Sequence, residues 1–340
     1  MLKLSVVIPT LNRADLLALT LDRIGTQTLP TDQYEILVVD NGSSDHTASV
    51  LAQKCNLYRN LKTFSQLKRG AAATRNVGIR NAAGETILFI DDDIVADPKL
   101  AEAHLRYHRQ HPGASIIGRV TAPWKTSKDP FLRYLRDRGI FNPYSITGGP
   151  MDFSYYHTGN VSTSRKMLQD VGGFNEEFFI YGMEDIELGY RLEKLGCRML
   201  HGPDAQAEHH YYPTYDQFIQ RCEQAGYSLG KLIDLHPELK NRFVENGRRT
   251  RMLKKFHFLY RLFTIASKPI SDRVVQWEEN RGTAKVAPLL DQHYYWAVRY
   301  HFFLGYSQFN RYSKDGKHTS RLMPAGQRIP NFAIEPRSKV

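Results

Sequence analysis

The stretch Glu85-Thr86-Ile87-Leu88-Phe89-Ile90-Asp91-Asp92-Asp93-Ile94-Val95 is an apolar run that ends in three consecutive carboxylates, Asp91, Asp92 and Asp93. A short apolar run rich in β-branched and aromatic residues suits a strand covered on both faces, as at the centre of a parallel sheet. Three acids cannot share that burial. They belong at the carboxyl edge of the sheet, where open α/β folds bind their ligands. If the backbone stays extended, alternation sends Asp91 and Asp93 to one side and Asp92 to the other. Asp91 and Asp93 then offer two carboxylates to one divalent cation or polar ligand, and Asp92 is dispensable for metal binding. The plain alternative is a solvated acidic turn at a strand end.

The segments before this run repeat one pattern. Leu4 to Ile8 reads as a strand closed by Pro9 and Thr10, with Asn12 as a helix N-cap and Leu17, Leu21 and Ile24 at helical spacing. Tyr34 to Val39 is a second buried-type strand. It ends in the turn-rich Asp40-Asn41-Gly42-Ser43-Ser44-Asp45, whose last residue can cap the next helix. Lys68 to Gly78 reads as a small-residue helix with Arg69 at its head and Arg75 within it. Strands alternating with helices predict an α/β fold with a mostly parallel sheet flanked by helices and right-handed crossovers.

Beyond the acids, a helix opens at Asp97-Pro98, and a short strand is expected near Ile116 to Val120. The pattern then degrades as far as about Pro150, a stretch that reads as substrate-facing loops and short helices. Another short strand fits Thr158 to Ser162. Leu188, Leu192 and Leu195 mark one face of a helix that starts at the Glu184-Asp185 pair and stops at Gly196. Acids in a first turn are favoured by the helix dipole whether or not they do chemistry. The chain divides into a catalytic-type domain over residues 1–230 and a mainly helical, basic extension over 231–340 with a polar tail.

Composition narrows the partners. The formal charge of +11 favours anionic ones without choosing among nucleic acid, an acidic membrane surface and a phosphorylated ligand. Cys55, Cys197 and Cys222 are scattered and odd in number, which argues against a disulfide framework and for a reducing, cytoplasmic setting. The N-terminal apolar run is too short for a signal peptide, and no stretch reaches the roughly 20 apolar residues of a spanning helix. Arg248, Arg249, Arg251, Lys254 and Lys255 precede the aromatic and aliphatic run Phe256 to Ile265. That combination suits an interfacial helix on the cytoplasmic face of an anionic membrane, or a packed helix with a solvated basic face.

Five stretches, taken in order and spacing, carry a resemblance. Ser5 to Arg13, Val38 to Asp45, Arg69-Gly70 through Arg75-Asn76-Val77-Gly78, Asp91-Asp92-Asp93 and Glu184-Asp185 resemble the motifs of glycosyltransferase family 2 over about residues 1–230. The resemblance implies the GT-A fold, a nucleotide-activated sugar as donor, a divalent metal (Mn2+ or Mg2+) and inversion at the anomeric centre. A UDP-sugar is the first expectation for the donor, ahead of GDP- and dTDP-sugars. Acceptors of such enzymes are hydroxyls of glycans, including polysaccharides, of lipid-linked glycans or of proteins, and no nucleic acid is expected. Two other readings are a sugar-phosphate nucleotidyltransferase and a non-catalytic, basic membrane- or nucleic-acid-binding protein. The first lacks its glycine-rich, lysine-bearing loop here, where Asn12-Arg13 stands.

The family's roles fall on matching residues. Pro9, Thr10, Asn12 and Arg13 line the nucleotide pocket, and Asp40 with Asn41 takes the base or ribose. Arg69 and Arg75 lie beside the donor, where a cation suits a pyrophosphate. Asp91 and Asp93 match the Asp-x-Asp pair, with Asp93 the direct metal ligand, Asp91 nearer the ribose or a metal-bound water, and Asp92 on the donor side. Asp185 matches the base that deprotonates the acceptor hydroxyl, and Glu184 orients the acceptor. His209 or His210, with His209 preferred, supplies a further metal or phosphate ligand. Gly159 and Asn160 shape the sugar or acceptor side, and Trp124 and Tyr155 are candidates to stack on a sugar face.

Overall fold

Strands and helices alternate from the start of the chain: β1 (Leu4–Thr10), α1 (Ala14–Ile24), β2 (Tyr34–Asp40), α2 (Thr47–Leu57), β3 (Leu61–Ser65), α3 (Ala71–Asn81) and β4 (Thr86–Ile90). The computed structural model describes residues 2–68, 70–123, 127–138, 149–245, 273 and 288–314. β3, β2, β1 and β4 lie side by side in parallel. The chain continues through β5 (Ile94–Ala96), α4 (Leu100–Gln110), β6 (Ala114–Thr121), α5 (Pro130–Asp137), β7 (Gly149–Met151), β8 (Asn160–Ser164), α6 (Arg165–Asp170) and α7 (Glu184–Lys194). It closes with β9 (Arg198–His209), α8 (Tyr215–Leu235) and α9 (Pro288–Lys314). The nine strands of the described residues form one sheet in the order β3-β2-β1-β4-β8-β6-β9-β5, with β7 paired to β9. β1 to β4, β6 and β9 run one way, and β5, β7 and β8 run the other.

Burial follows the pleat. On β1, Leu4, Val6 and Ile8 pack with Leu17, Leu21 and Ile24 of α1 on one face, and Val7 joins Phe89, Ile79 and Leu188 on the other. β4 divides in the same way, with Leu88 and Ile90 on the first face and Ile87 and Phe89 on the second. Each such side chain contributes about 1.5–3 kcal/mol on burial, so a sheet covered on both faces fixes its own register. A smaller core joins α5, α8 and α9 through Phe131, Tyr134, Phe218, Leu290 and Tyr294.

β9 is the longest strand that local reading misses, besides β3 and β7. Its middle carries Gly202-Pro203-Asp204, which looks like a turn. The structure absorbs those residues in an irregularity against β6: Gly118 pairs with Gly202, and Arg119 pairs next with Gln206. α8 crosses residue 230, the junction read from sequence, and α9 packs along it. The contact is close because Gly226 and Gly305 lack side chains. A Cβ at either would lie 1.9 Å from a carbonyl oxygen, that of Phe302 or of Glu223 respectively. Among the described residues no helix is long and apolar enough to cross a membrane. The basic and aromatic stretch Arg248–Ile265 lies outside the described residues.

Candidate active site

The acid triplet is not part of β4. The strand ends at Ile90 and the chain turns at once, so the alternation expected from an extended backbone does not hold. Asp92 and Asp93 face the same cation instead: Arg13 Nη1 lies 2.9 Å from Asp92 Oδ1 and 2.6 Å from Asp93 Oδ2. Thr10 Oγ1 donates to Asp92 Oδ2 at 2.8 Å, and Thr20 Oγ1 donates to the Asp92 carbonyl at 2.9 Å. Asp92 is thus a buried anchor between β1, α1 and the turn, on the same cation as Asp93 rather than turned away from it. Burial raises its pKa despite Arg13, and the charge of Asp93 adds to the rise. Burial acts on Asp93 too, but His209 and Arg13 together hold its carboxyl well below the ordinary range. His209 Nε2 sits 3.1 Å from Asp93 Oδ1, whereas His210 Nε2 turns to Glu208 at 3.2 Å.

Asp91 goes elsewhere. Its Oδ1 accepts from Arg75 Nη2 at 2.7 Å, and Arg75 Nη1 donates to Glu184 Oε1 at 3.1 Å. One buried guanidinium on α3 therefore links the end of β4 to the first turn of α7. The other oxygen of Glu184, Oε2, is buried and has no hydrogen-bond partner among the described residues. Burial raises the pKa of Glu184, the neighbouring Asp185 adds to the rise, and Arg75 opposes it. Asp185 moves the other way: against the effect of burial, His157 lowers its pKa, with Arg75 assisting. His157 Nδ1 lies 3.4 Å from Asp185 Oδ2, and the His157 side chain is 46% exposed, so it is open to the cavity. Desolvation would lower the imidazole pKa, but Asp185 raises it. The residue before the two acids, Met183, has φ 71°, a left-handed conformation that disfavours a side chain and fixes where α7 begins.

The first two strand ends form a polar network of their own. Asn12 has φ 53° and does not serve as the N-cap of α1; its Oδ1 accepts from the Ser44 amide at 2.7 Å. The Ala14 amide is taken by Asp45 from the other loop, at 3.1 Å. Asp40 Oδ1 accepts from Ser43, and the Asn41 amide donates to the carbonyls of Gln66 and Lys68. Pro9 is half-buried on β1. Asn160 sits at the head of β8 with its amide fully engaged. Its Oδ1 meets His104 Nε2 at 2.8 Å, and its Nδ2 donates to the carbonyls of Ala205 and Arg119. Both ends of its amide are thus taken up within the protein. Tyr155 lies in the turn Phe153–Tyr155 and packs on the core, not on the cavity. Arg69 and Trp124 lie outside the described residues.

A cavity of about 370 Å³ gathers Asp91, Arg75, Glu184, Asp185, Gly159, Asn160 and His209 from five separate stretches of sequence. His157, Tyr181, Tyr211, Arg221 and Phe302 also line it, and no local motif marks them. A second cavity, about 410 Å³, lies by Glu176, Lys231 and Phe309 and holds none of the expected site residues. Among the described residues no three His, Cys, Asp or Glu side chains already converge as a metal cluster. The donor chemistry nonetheless fits a hard divalent cation. Asp93 touches His209, and His209 lines the same cavity as Asp91, which together offer carboxylate oxygens and an imidazole of the kind Mn2+ accepts.

The model of glycosyl transferase family 2 matches residues 5–172, and that described as the N-terminal domain of galactosyltransferase matches residues 144–217. Chondroitin synthase of Escherichia coli is 30% identical over 254 residues, which is 64% of this chain and 36% of that protein. Validoxylamine A glucosyltransferase of Streptomyces hygroscopicus subsp. jinggangensis is 31% identical over 266 residues, 69% of this chain and 61% of that one. The chain thus spans about a third and three fifths of the length of these two relatives. Among solved structures, the mannosyltransferase PcManGT of Pyrobaculum calidifontis, in complex with GDP-Man and Mn2+, aligns with TM-score 0.59 at 18% identity over 92% of this chain and 88% of that one. That likeness identifies the fold as GT-A. With both family models falling on the strands and the acid sites described above, the chain belongs to glycosyltransferase family 2.

Proposed function

We propose that the chain is an inverting, metal-dependent glycosyltransferase that moves a sugar from a nucleoside-diphosphate sugar, a UDP-sugar foremost, onto a hydroxyl of a polysaccharide or related glycan. The observation that carries this reading is the single cavity holding two acid groups in different electrostatic settings. Asp91, Glu184 and Asp185 line it together with Arg75, which pairs with both Asp91 and Glu184, and His209, which also lines it, touches Asp93. Asp185, kept ionised beside His157, is the group able to take the proton of an attacking hydroxyl. Glu184 has a buried oxygen to offer an acceptor hydroxyl. Asp91, Asp93 and His209 would hold the divalent cation, which when bound acts as a Lewis acid toward the departing diphosphate. PcManGT, crystallised with GDP-Man and Mn2+, supports donor and metal, and the chondroitin synthase likeness supports a polysaccharide acceptor.

The test begins with thermal shift in UDP, GDP and dTDP, each with Mn2+ or with EDTA, because a ligand of the native state raises its melting temperature. At least one nucleotide with Mn2+ is expected to do so. Asp185→Asn should then lower transfer by about 10²–10⁴-fold and leave nucleotide affinity unchanged. Transfer within tenfold of wild type would remove Asp185 as base, and metal-independent turnover would remove the role given to Asp91 and Asp93.

A further inference from the structure

The family models end at residue 217, but the cavity does not. Phe218, Arg221 and Ala225 of α8 and Phe302 of α9 form a wall of it. The guanidinium carbon of Arg221 lies 4.3 Å from the centre of the Tyr211 ring and 4.8 Å from that of Tyr181. Such packing uses the face of a guanidinium and is compatible with in-plane hydrogen bonding by its fork of N–H donors. The wall is also held firmly. Besides the glycine contacts of α8 with α9, His301 of α9 pairs with Glu223 of α8, and Arg138 pairs with Asp291 near the start of α9.

We propose that the α8–α9 wall is an acceptor-recognition face, in which Arg221 selects acceptors bearing an anionic group, a carboxylate or a phosphate, close to the reacting hydroxyl. A planar fork is matched to either oxyanion, and the charge of +11 draws such a chain toward the protein. Tyr181 and Phe302 supply apolar surface for a sugar ring beside it. The inference rests on the transferase reading above and names the substrate class of that same cavity.

The experiment uses the full chain saturated with UDP or GDP and Mn2+, whichever binds. Three probes of matched length are titrated by ligand-observed NMR: a glucuronate-terminated oligosaccharide, a glycerol-phosphate oligomer and a neutral cello-oligosaccharide. At least one anionic probe is expected to bind about tenfold or more tightly than the neutral one. Which anionic probe wins tells carboxylate from phosphate. Arg221→Gln should abolish the preference and keep nucleotide affinity within about twofold, and Arg221→Lys should restore part of it. If the Gln variant melts well below wild type, the Lys variant, which keeps the charge without the fork, carries the comparison. Equal binding of neutral and anionic probes, no binding of either anionic probe by a chain that binds nucleotide, or a preference that survives both substitutions would overturn the inference. So would a tenfold loss of nucleotide affinity with the preference intact, which would place Arg221 on the donor. A wild-type chain that binds no nucleoside diphosphate would instead strike the transferase reading, and this inference with it.

Discussion

Replacing Gly226 with Ala sets two effects of opposite sign against each other. In a helix interior free of neighbours the change stabilises by about 1 kcal/mol, because glycine gives up more conformational freedom on folding. In α8 the new Cβ would fall 1.9 Å from the Phe302 carbonyl oxygen and 2.8 Å from its carbonyl carbon. Ordinary contact begins near 3.4 Å, so α9 would have to retreat by roughly 1.5 Å. Sliding does not relieve the clash, since Gly305 makes the reciprocal contact at 1.9 Å with Glu223. A gap of that size forfeits a large share of the dispersion attraction along the helix pair, and overpacking of this kind costs about 1–3 kcal/mol, occasionally more. Both clashes are with backbone, which puts the cost in the upper part of that range, so packing is expected to outweigh propensity, giving a net loss of about 1–2 kcal/mol and a melting temperature lower by about 1.5–3 °C. Calorimetry of full-length wild type, Gly226→Ala, Gly305→Ala and the double variant reads the effect. Because one retreat relieves both clashes, the double variant should lose less than the sum of the singles. An unchanged or raised melting temperature in Gly226→Ala would refute the reasoning, since propensity alone would then account for it.

Two further substitutions probe the interior. Arg13→Met removes the cation shared by Asp92 and Asp93, whose side chains are 7% and 3% exposed; stranding them should cost about 3–5 kcal/mol in urea unfolding with EDTA present, and a loss below about 1 kcal/mol would mean the carboxylates find other partners. Glu35, 2% exposed, accepts from Ser5, Lys62 and the Ala83 amide, and against the opposing effect of burial these lower its pKa. A depressed carboxylate contributes stability above its unfolded pKa of about 4.3 and loses it as pH falls through the lower folded value. Glu35→Gln should therefore be less stable than wild type by about 1–3 kcal/mol at pH 7, with the difference shrinking below pH 4, and a difference that does not vary with pH would contradict the assignment.

β1 and β2 were legible because each is short, apolar and followed by a helix, and β4 because it is an apolar run, whereas β3, with Lys62, Thr63 and Ser65 exposed, carries no such signal. β1, β2 and β4 needed nothing from outside their own segments. β9 was not legible, since Gly202-Pro203-Asp204 obeys the local rule for a turn and only pairing with β6 on one side and β5 or β7 on the other makes it a strand. The geometry expected of the acid triplet does not hold. Alternation applies only while the backbone stays extended, and the chain turns directly after Ile90. His157, Arg221 and Phe302 escaped for a different reason. Each stands alone in its segment, and the cavity exists only once α7, α8 and α9 are packed together. Asn160 was picked out by its neighbourhood, but its amide is consumed by His104, a partner 56 residues away that no local pattern announces.

The two borders of the sheet bear on how this molecule meets copies of itself. A strand at a border carries unpaired amide and carbonyl groups, and a long, flat one invites another chain to continue the ladder. β3, at one border, is five residues long with Lys62 on its exposed surface, and β5 and β7, which share the other beside β9, are three residues long each. A lysine and a shortened strand are two independent ways of blunting such a border. Growth of this sheet across molecules is thereby discouraged at both ends among the described residues, and any self-association through them must be built from side chains rather than from backbone pairing.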